Sequence, residues 1–76
     1  MKKLKWVLLQ QCWFGSYRGK IIAIVKLFAV EHGHEYRGEY LFEHRASGDL
    51  WRHLLQPYMT LDTAKAACLG ELRKLR

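Results

Sequence analysis

The most uniformly apolar stretch of the chain is residues 21–30, Ile-Ile-Ala-Ile-Val-Lys-Leu-Phe-Ala-Val, in which Lys26 is the one polar side chain. Successive side chains of a β-strand point to opposite faces, so this segment predicts a strand that is apolar on both faces. Such a strand needs cover on both sides. One helix covers one face, so we expect a second copy, another protein or a nucleic acid to cover the other.

Further segments rich in aromatic and β-branched residues lie on both sides of this strand, separated by breaks that contain glycine. Such runs predict strands. In chain order, the predicted strands cover residues 5–14, 20–30, 36–46 and 49–56. Apolar residues of the last segment also follow helical spacing up to Pro57, so a short helix over 49–56 is the alternative to a strand there.

The two hairpins that join the last three strands predict which side chains share a face, because directly opposed residues lie on the same side of a sheet. A loop of even length around Gly33 pairs odd residues of the second strand with even residues of the third. A two-residue loop at Ser47–Gly48 sets Glu43 opposite Arg52. One face then mixes apolar and charged residues, namely Ile22, Ile24, Phe28, Leu41 and Leu54 with Lys26, Arg37, Glu39, Glu43, Arg45 and Arg52.

The end of the chain predicts a helix. Thr60 is a favourable N-cap residue, and Asp62 follows in the first turn, where the helix dipole favours an anion. Apolar residues recur at three- and four-residue steps and form one stripe, consisting of Leu61, Ala64, Cys68, Leu72 and Leu75. The chain of 76 residues is therefore predicted to be a single α+β domain over residues 1–76. Its predicted architecture is an antiparallel β-meander of three to four strands with one C-terminal helix packed on one face.

The balance of charge is basic, with 13 Lys and Arg against 7 Asp and Glu and a formal net charge of +6. A basic chain makes nucleic acid a candidate partner. The basic residues are, however, spread along the sequence, whereas phosphate binding is typical of a concentrated stripe. The predicted contacts to DNA or RNA are Arg18, Lys20, Lys26, Arg37, Arg45 and Arg52.

Catalytic and metal-binding patterns are weak. His32 and His34 flank Gly33, but a closed metal site needs four ligands and no spaced Cys or His pair completes one. Cys12 and Cys68 are too few for a disulfide framework, and Cys68 lies in the apolar stripe of the predicted helix. We therefore predict no enzyme activity, no cofactor and no metal.

Membrane and export signals are also weak. The apolar run near the N-terminus is broken by Gln10 and Gln11, and no small-residue cleavage site follows it. No stretch approaches the roughly 20 apolar residues that a membrane-spanning helix needs. These features predict a cytoplasmic protein without a membrane partner.

Residues 58–67, Tyr-Met-Thr-Leu-Asp-Thr-Ala-Lys-Ala-Ala, resemble the strand-to-helix junction of small phage and prophage accessory proteins. In these proteins an aromatic meander precedes a Ser/Thr-Leu-x-x-Ala-Lys helix start. The resemblance implies a regulator, decoy or inhibitor that acts on another protein. The layout is also similar to the DNA-binding domains of phage integrase arms and of plant factors that read DNA with a three-stranded sheet. That second resemblance implies contacts from the basic residues named above.

From these observations we predict a small non-catalytic accessory protein of phage type that acts by protein–protein binding and forms a homodimer. Its predicted interface consists of Ile22, Ile24, Phe28, Leu41 and Leu54. The predicted partners are a second copy of the chain, an unidentified protein, or both. The alternative function is a DNA- or RNA-binding module that uses basic side chains on the exposed face of the sheet.

Overall fold

The computed structural model describes residues 3–44 and 48–74, which form one antiparallel sheet of five strands and one helix. The strands lie side by side in chain order. The elements are β1 (Lys5–Leu9), β2 (Cys12–Tyr17), β3 (Lys20–Val30), β4 (Gly33–His44), β5 (Gly48–His53) and α1 (Leu61–Lys74). The α+β class, the meander and the C-terminal helix are confirmed, whereas the predicted number of three to four strands is too low.

The additional strand arises because the first predicted strand, residues 5–14, reverses direction in its middle. Gln10 and Gln11 both adopt positive φ angles, 51° and 65°, and Leu9 pairs with Cys12 across them. Two consecutive residues with positive φ form the two-residue turn that matches the twist of a hairpin, a position that favours Asn and Gly. Glutamine is not typical of this turn, so the sequence pattern carried no signal for it.

The hairpin between β3 and β4 has a turn of even length, as predicted. Its turn is the even-length pair Glu31–His32, with Val30 opposite Gly33. Odd residues of β3 therefore oppose even residues of β4, and Val25 lies opposite Gly38. This face of the sheet packs against α1, and we call it the helix face. The opposite side is called the outer face.

Residues 48–53 form a strand, which decides between the strand and the short helix predicted for 49–56. The predicted register of this hairpin is wrong. Arg52 pairs with Tyr40 instead of Glu43, and Gly48 pairs with His44 at a φ of 77°. A shift by an odd number of residues moves every side chain of a strand to the other face. Arg52 therefore lies on the helix face, and its neighbours Trp51 and His53 lie on the outer face.

After β5 the chain continues along β4 before it enters the helix. The Leu54 N–H donates to the Gly38 carbonyl at 2.8 Å, and Tyr36 and Tyr58 exchange two backbone hydrogen bonds of 2.8 and 2.9 Å. The predicted N-cap is then confirmed, because the Thr60 hydroxyl accepts a hydrogen bond from the Thr63 N–H at 3.2 Å. These bonds fix the direction in which α1 leaves the sheet.

The core lies between α1 and the strands β3 and β4. The helix buries Ala64, Cys68 and Leu72, and the sheet contributes Ala23 and Val25, both with no exposed surface. Small residues on both sides allow the helix to lie close to the sheet. The described part of the chain contains no helix that is both long and apolar enough to span a membrane.

Candidate protein-binding surface

The outer face is built from alternate residues of all five strands and contains two adjoining halves, which share the cross-strand row from Val7 to His53. We call the first half the charged cluster; it consists of Lys26, Glu35, Arg37, Glu39 and His53. We call the second half the apolar patch; it consists of Val7, Phe14, Ile24, Leu41 and Trp51. The two halves meet where Ile24 opposes Glu39.

Glu39 is the centre of the charged cluster. One carboxylate oxygen lies 3.3 Å from the Lys26 ammonium, and the other lies 3.3 Å from Nδ1 of His53. The Glu39 side chain is only 16% exposed, whereas the Lys26 and His53 side chains are 43% and 78% exposed. A partly buried carboxylate is stabilised by such partners. The lysine and histidine thus hold an acidic group at the border between the charged cluster and the apolar patch.

Arg37 forms the second part of the charged cluster. Its Nε donates to a carboxylate oxygen of Glu35, and its guanidinium carbon lies 4.4 Å from the centre of the Phe28 ring. Arg37 directly opposes Lys26, an arrangement of like charges that is unfavourable across a strand pair. Glu35 and Glu39 flank Arg37 along β4 and offset this repulsion, so the cluster has two cations and two carboxylates.

A shallow depression of about 120 Å³ opens within this region. Its lining consists of Lys26, Phe28, Arg37, Glu39 and His53. It is far smaller than the ~300–1,000 Å³ typical of small-molecule sites. Its aromatic, cationic and anionic walls suit a single side chain of another protein better than a cofactor.

The apolar patch lies beside the charged cluster and is partly exposed. Trp51 and Val7 are 42% and 52% exposed, Phe14 and Ile24 are half-buried, and Leu41 is only 7% exposed. Exposed aromatic side chains next to arginine are typical of protein–protein interfaces. The outer face therefore combines an apolar patch with paired charges at its border.

The residues predicted for the interface are separated by the structure. Ile22 and Leu41 are only 8% and 7% exposed, so both contribute to the core of the single chain. Ile24 is half-buried and Phe28 is 37% exposed, and both lie on the outer face as predicted. Leu54 lies on the helix face instead, beside Gly38 and under α1, because the register of the last hairpin differs from the predicted one.

The residues predicted to contact nucleic acid do not form one stripe. Lys26 and Arg37 lie together on the outer face, each beside a glutamate. Arg52 lies on the helix face, with its guanidinium carbon 4.0 Å from the centre of the Phe42 ring. Arg18 and Lys20 lie at the turn between β2 and β3, where Arg18 stacks on Tyr17 at 5.2 Å. Arg45 lies outside the described residues.

Trp51, His53 and Val7 belong to the outer face but were missing from the predicted site. Trp51 and His53 require the correct register of β5, and Val7 requires the turn at Gln10–Gln11. The alternation of apolar and polar residues over residues 50–53 did not distinguish the two faces, because each register gave an internally consistent pattern. Gly48 has a positive φ in the structure, but a glycine at this place in the sequence is compatible with two- and three-residue loops alike and did not distinguish the registers.

Among the described residues, no three His, Cys, Asp or Glu side chains come together in a way that holds a metal ion. A depression of about 380 Å³ lies between residues 54–58 and the last turns of α1. Two charged residues of its lining, Glu71 and Lys74, pair with each other at 3.2 Å. The pairing gives each of these two charges a partner.

The two free thiols have different surroundings and should react at different rates. Burial raises the pKa of the Cys68 thiol to about 12, and the thiol donates to the Glu39 carbonyl at 3.7 Å. Cys12 is half-buried on the outer face. Because the thiolate is the reactive form, we expect one fast-reacting thiol per native chain at about pH 8, and both thiols to react after denaturation.

A thiol–disulfide exchange reagent with a coloured product measures this directly. Cys12→Ser is the matched control and should remove the fast phase while leaving the slow one. Rapid labelling of the Cys12→Ser chain in the native state would contradict the buried position of Cys68.

Comparison of the chain with protein-family models, with curated proteins and with solved structures gives no match. The similarity of residues 58–67 to phage accessory proteins therefore stays a prediction.

Proposed function

We propose that the chain is a non-catalytic binding protein whose outer face docks onto another protein. The observation that carries this proposal is the pairing of charges next to exposed aromatic residues. Lys26 and Arg37 each lie beside a glutamate, while Trp51 and Phe28 are 42% and 37% exposed. Polar groups that are already paired tolerate burial better than single charges, so such a face suits a protein interface.

The alternative partner is a nucleic acid, and one observation supports it. Lys5, Arg18 and Lys20 lie at the same end of the sheet, because Lys5 opposes Ser16 and Lys20 opposes Tyr17. On the outer face itself, Glu35 and Glu39 place negative charge beside Lys26 and Arg37. Phosphate groups are repelled by such carboxylates, so the outer face suits a protein better than DNA or RNA.

The proposal includes a regulatory or inhibitory role of the phage accessory type. Its support is the aromatic meander that leads into the capped helix start at Thr60 and Leu61. A regulator or inhibitor of this kind acts by occupying a surface of its target. The fit between the outer face and that target then determines specificity.

Photo-cross-linking in cells that produce the protein tests this proposal. A photoreactive amino acid replaces Trp51 on the outer face, and the matched control carries it at Asp62, which is exposed in the first turn of α1. We expect discrete adducts from position 51 that protease degrades and nuclease leaves intact. We expect position 62 to give none of these adducts.

Three results would overturn the proposal: adducts sensitive to nuclease, equal labelling from both positions, or no adduct from position 51. The purified chain is also titrated with labelled single- and double-stranded DNA. Tight binding that weakens steeply with added salt would transfer the function to nucleic acid, because release of counterions is the signature of phosphate contacts.

A further inference from the structure

The first strand of the sheet has an open edge. β1 is the outermost strand, and β2 pairs with one side of it through a regular register from Lys5↔Ser16 to Leu9↔Cys12. Within the described residues, no element pairs with its other side. An edge of this kind presents a row of backbone N–H and C=O groups that can pair with another strand.

The turn at Gln10–Gln11 determines which backbone groups point to the open edge. In a two-residue hairpin the residues that flank the turn exchange hydrogen bonds, and so does every second pair after them. Leu9, Val7 and Lys5 therefore bond to β2. The intervening residues, Trp6 and Leu8, direct their N–H and C=O groups away from the sheet.

The side chains along this edge are apolar and exposed. Val7, Leu8 and Leu9 are 52%, 57% and 60% exposed, and they follow one another in the chain. Alternation places Leu8 on the helix face and its two neighbours on the outer face. Edge strands are protected by short length, lysine, proline, a bulge or an inward-pointing charge, and β1 has only its length of five residues and Lys5. Lys5, at the start of the strand, is its one charged residue.

We propose that β1 pairs antiparallel with β1 of a second copy and joins two sheets into one continuous sheet. A two-fold axis at Val7 sets Trp6 opposite Leu8 of the partner subunit, and Leu8 opposite Trp6 of the partner subunit. These are the residues whose backbone groups point outward, so all of those groups find partners. The strand is therefore complementary to itself, as a two-fold symmetric interface requires.

The same register also brings compatible side chains of the two copies together. Val7 meets Val7 of the partner subunit, and Leu8 packs beside Trp6 of the partner subunit on the helix face. Lys5 lies opposite Leu9 of the partner subunit, so the two lysines are separated along the strands by roughly 14 Å, which limits their repulsion. A centre at Val7 pairs all five residues of β1, whereas a centre at Trp6 or Leu8 leaves part of the strand unpaired.

A strand pair of five residues is smaller than a standard protein interface. We therefore expect a dimer that forms with concentration rather than an obligate one. This inference concerns the sheet edge and is independent of the outer-face proposal. Both surfaces are free to act together, because the edge pairing lengthens the outer face instead of covering it.

Sedimentation equilibrium of the purified full chain over a concentration series tests the inference. The informative variant is Leu8→Pro, because proline removes an N–H that points outward and leaves the bonds to β2 in place. Each dimer loses two hydrogen bonds, so we expect the dissociation constant to rise about 30-fold. Circular dichroism of the dilute variant shows whether its fold is retained.

Amide hydrogen exchange gives a second measurement on the unchanged chain. We expect the Trp6 and Leu8 amides to gain protection as concentration rises, while the Val7 and Leu9 amides are protected throughout. A monomer at every concentration, unprotected Trp6 and Leu8 amides in a dimer, or an undiminished Leu8→Pro dimer would overturn the inference. Open-ended oligomers would also overturn it, because they indicate pairing of β1 with a different edge.

These outcomes are separable from those of the outer-face proposal. The dimer is measured with the purified chain alone, and the photo-cross-link at position 51 is measured against other cellular proteins. A Leu8→Pro chain that loses the dimer but keeps its cross-links would support both. A chain that keeps its dimer-dependent protection but gives no cross-links would support the edge pairing alone.

Discussion

Gly38→Ala is expected to lower the free energy of unfolding by about 2–3 kcal/mol. A Cβ atom at this position would lie 2.8 Å from the Cys68 sulfur and 3.0 Å from Cγ of Leu54, and closer still to the end of the Leu54 side chain. The sulfur has little freedom to move, because Cys68 has no exposed surface and lies in the middle of α1. The strand backbone itself accepts alanine, since Gly38 does not have a positive φ.

Two further variants separate this clash from a general effect of the substitution. Gly70→Ala makes the same change in α1, where the new methyl group meets nothing within 4 Å, and we expect it to stabilise the protein by about 1 kcal/mol. Combining Gly38→Ala with Cys68→Ala removes the sulfur, so the combined loss should be smaller than the sum of the single losses. Urea unfolding followed by tryptophan fluorescence measures all of these values. A Gly38→Ala chain as stable as the parent would show that α1 does not lie this close to β4.

The second large effect is expected for Leu72→Ala, which should lower the free energy of unfolding by about 3 kcal/mol. Leu72 is 3% exposed and is the last buried residue of α1. A chain of 76 residues has a total stability of only about 4–11 kcal/mol, so this one change removes a large part of it. We expect a thermal midpoint lower by well over ten degrees, as about 4–8 °C is lost per kcal/mol in a domain of this size.

Leu55→Ala provides the matched control, because it deletes the same atoms from a side chain that is 102% exposed. Its effect on stability should stay within about 0.5 kcal/mol. Calorimetry of the two variants and of the parent chain measures the change in thermal midpoint and in unfolding free energy. Equal losses for Leu72→Ala and Leu55→Ala would mean that the C-terminal half of α1 is not packed on the sheet.

The parts of the fold that could be predicted depend on local signals. The helix was predictable because Thr60 caps it and because Ala64, Cys68 and Leu72 recur at helical spacing. The hairpin around Gly33 was predictable because any even-length loop gives the same pairing of faces. The turn at Gln10–Gln11 was not predictable, since two glutamines with positive φ are stabilised by the strands on both sides rather than by their own preference.

The candidate site shows how a small error in a loop affects a functional prediction. Lys26, Phe28 and Arg37 were placed on the outer face correctly because they depend on the hairpin around Gly33. Arg52 and Leu54 were placed on the wrong face, because adding one residue to the assumed loop reverses the sides of β5. The alternation of side chains along a strand shows which residues share a face. Which of the two faces points to the core follows only from the register of the strand.

The arrangement of the strands in chain order has a consequence for the way the protein folds. Each strand pairs with the next one in the sequence, so the sheet is assembled from successive hairpins that close short loops. The contacts between α1 and β3 join residues far apart in the sequence and complete the structure. We therefore expect rapid folding in which the hairpins form early and the helix docks last, since local contacts shorten the search for the native state.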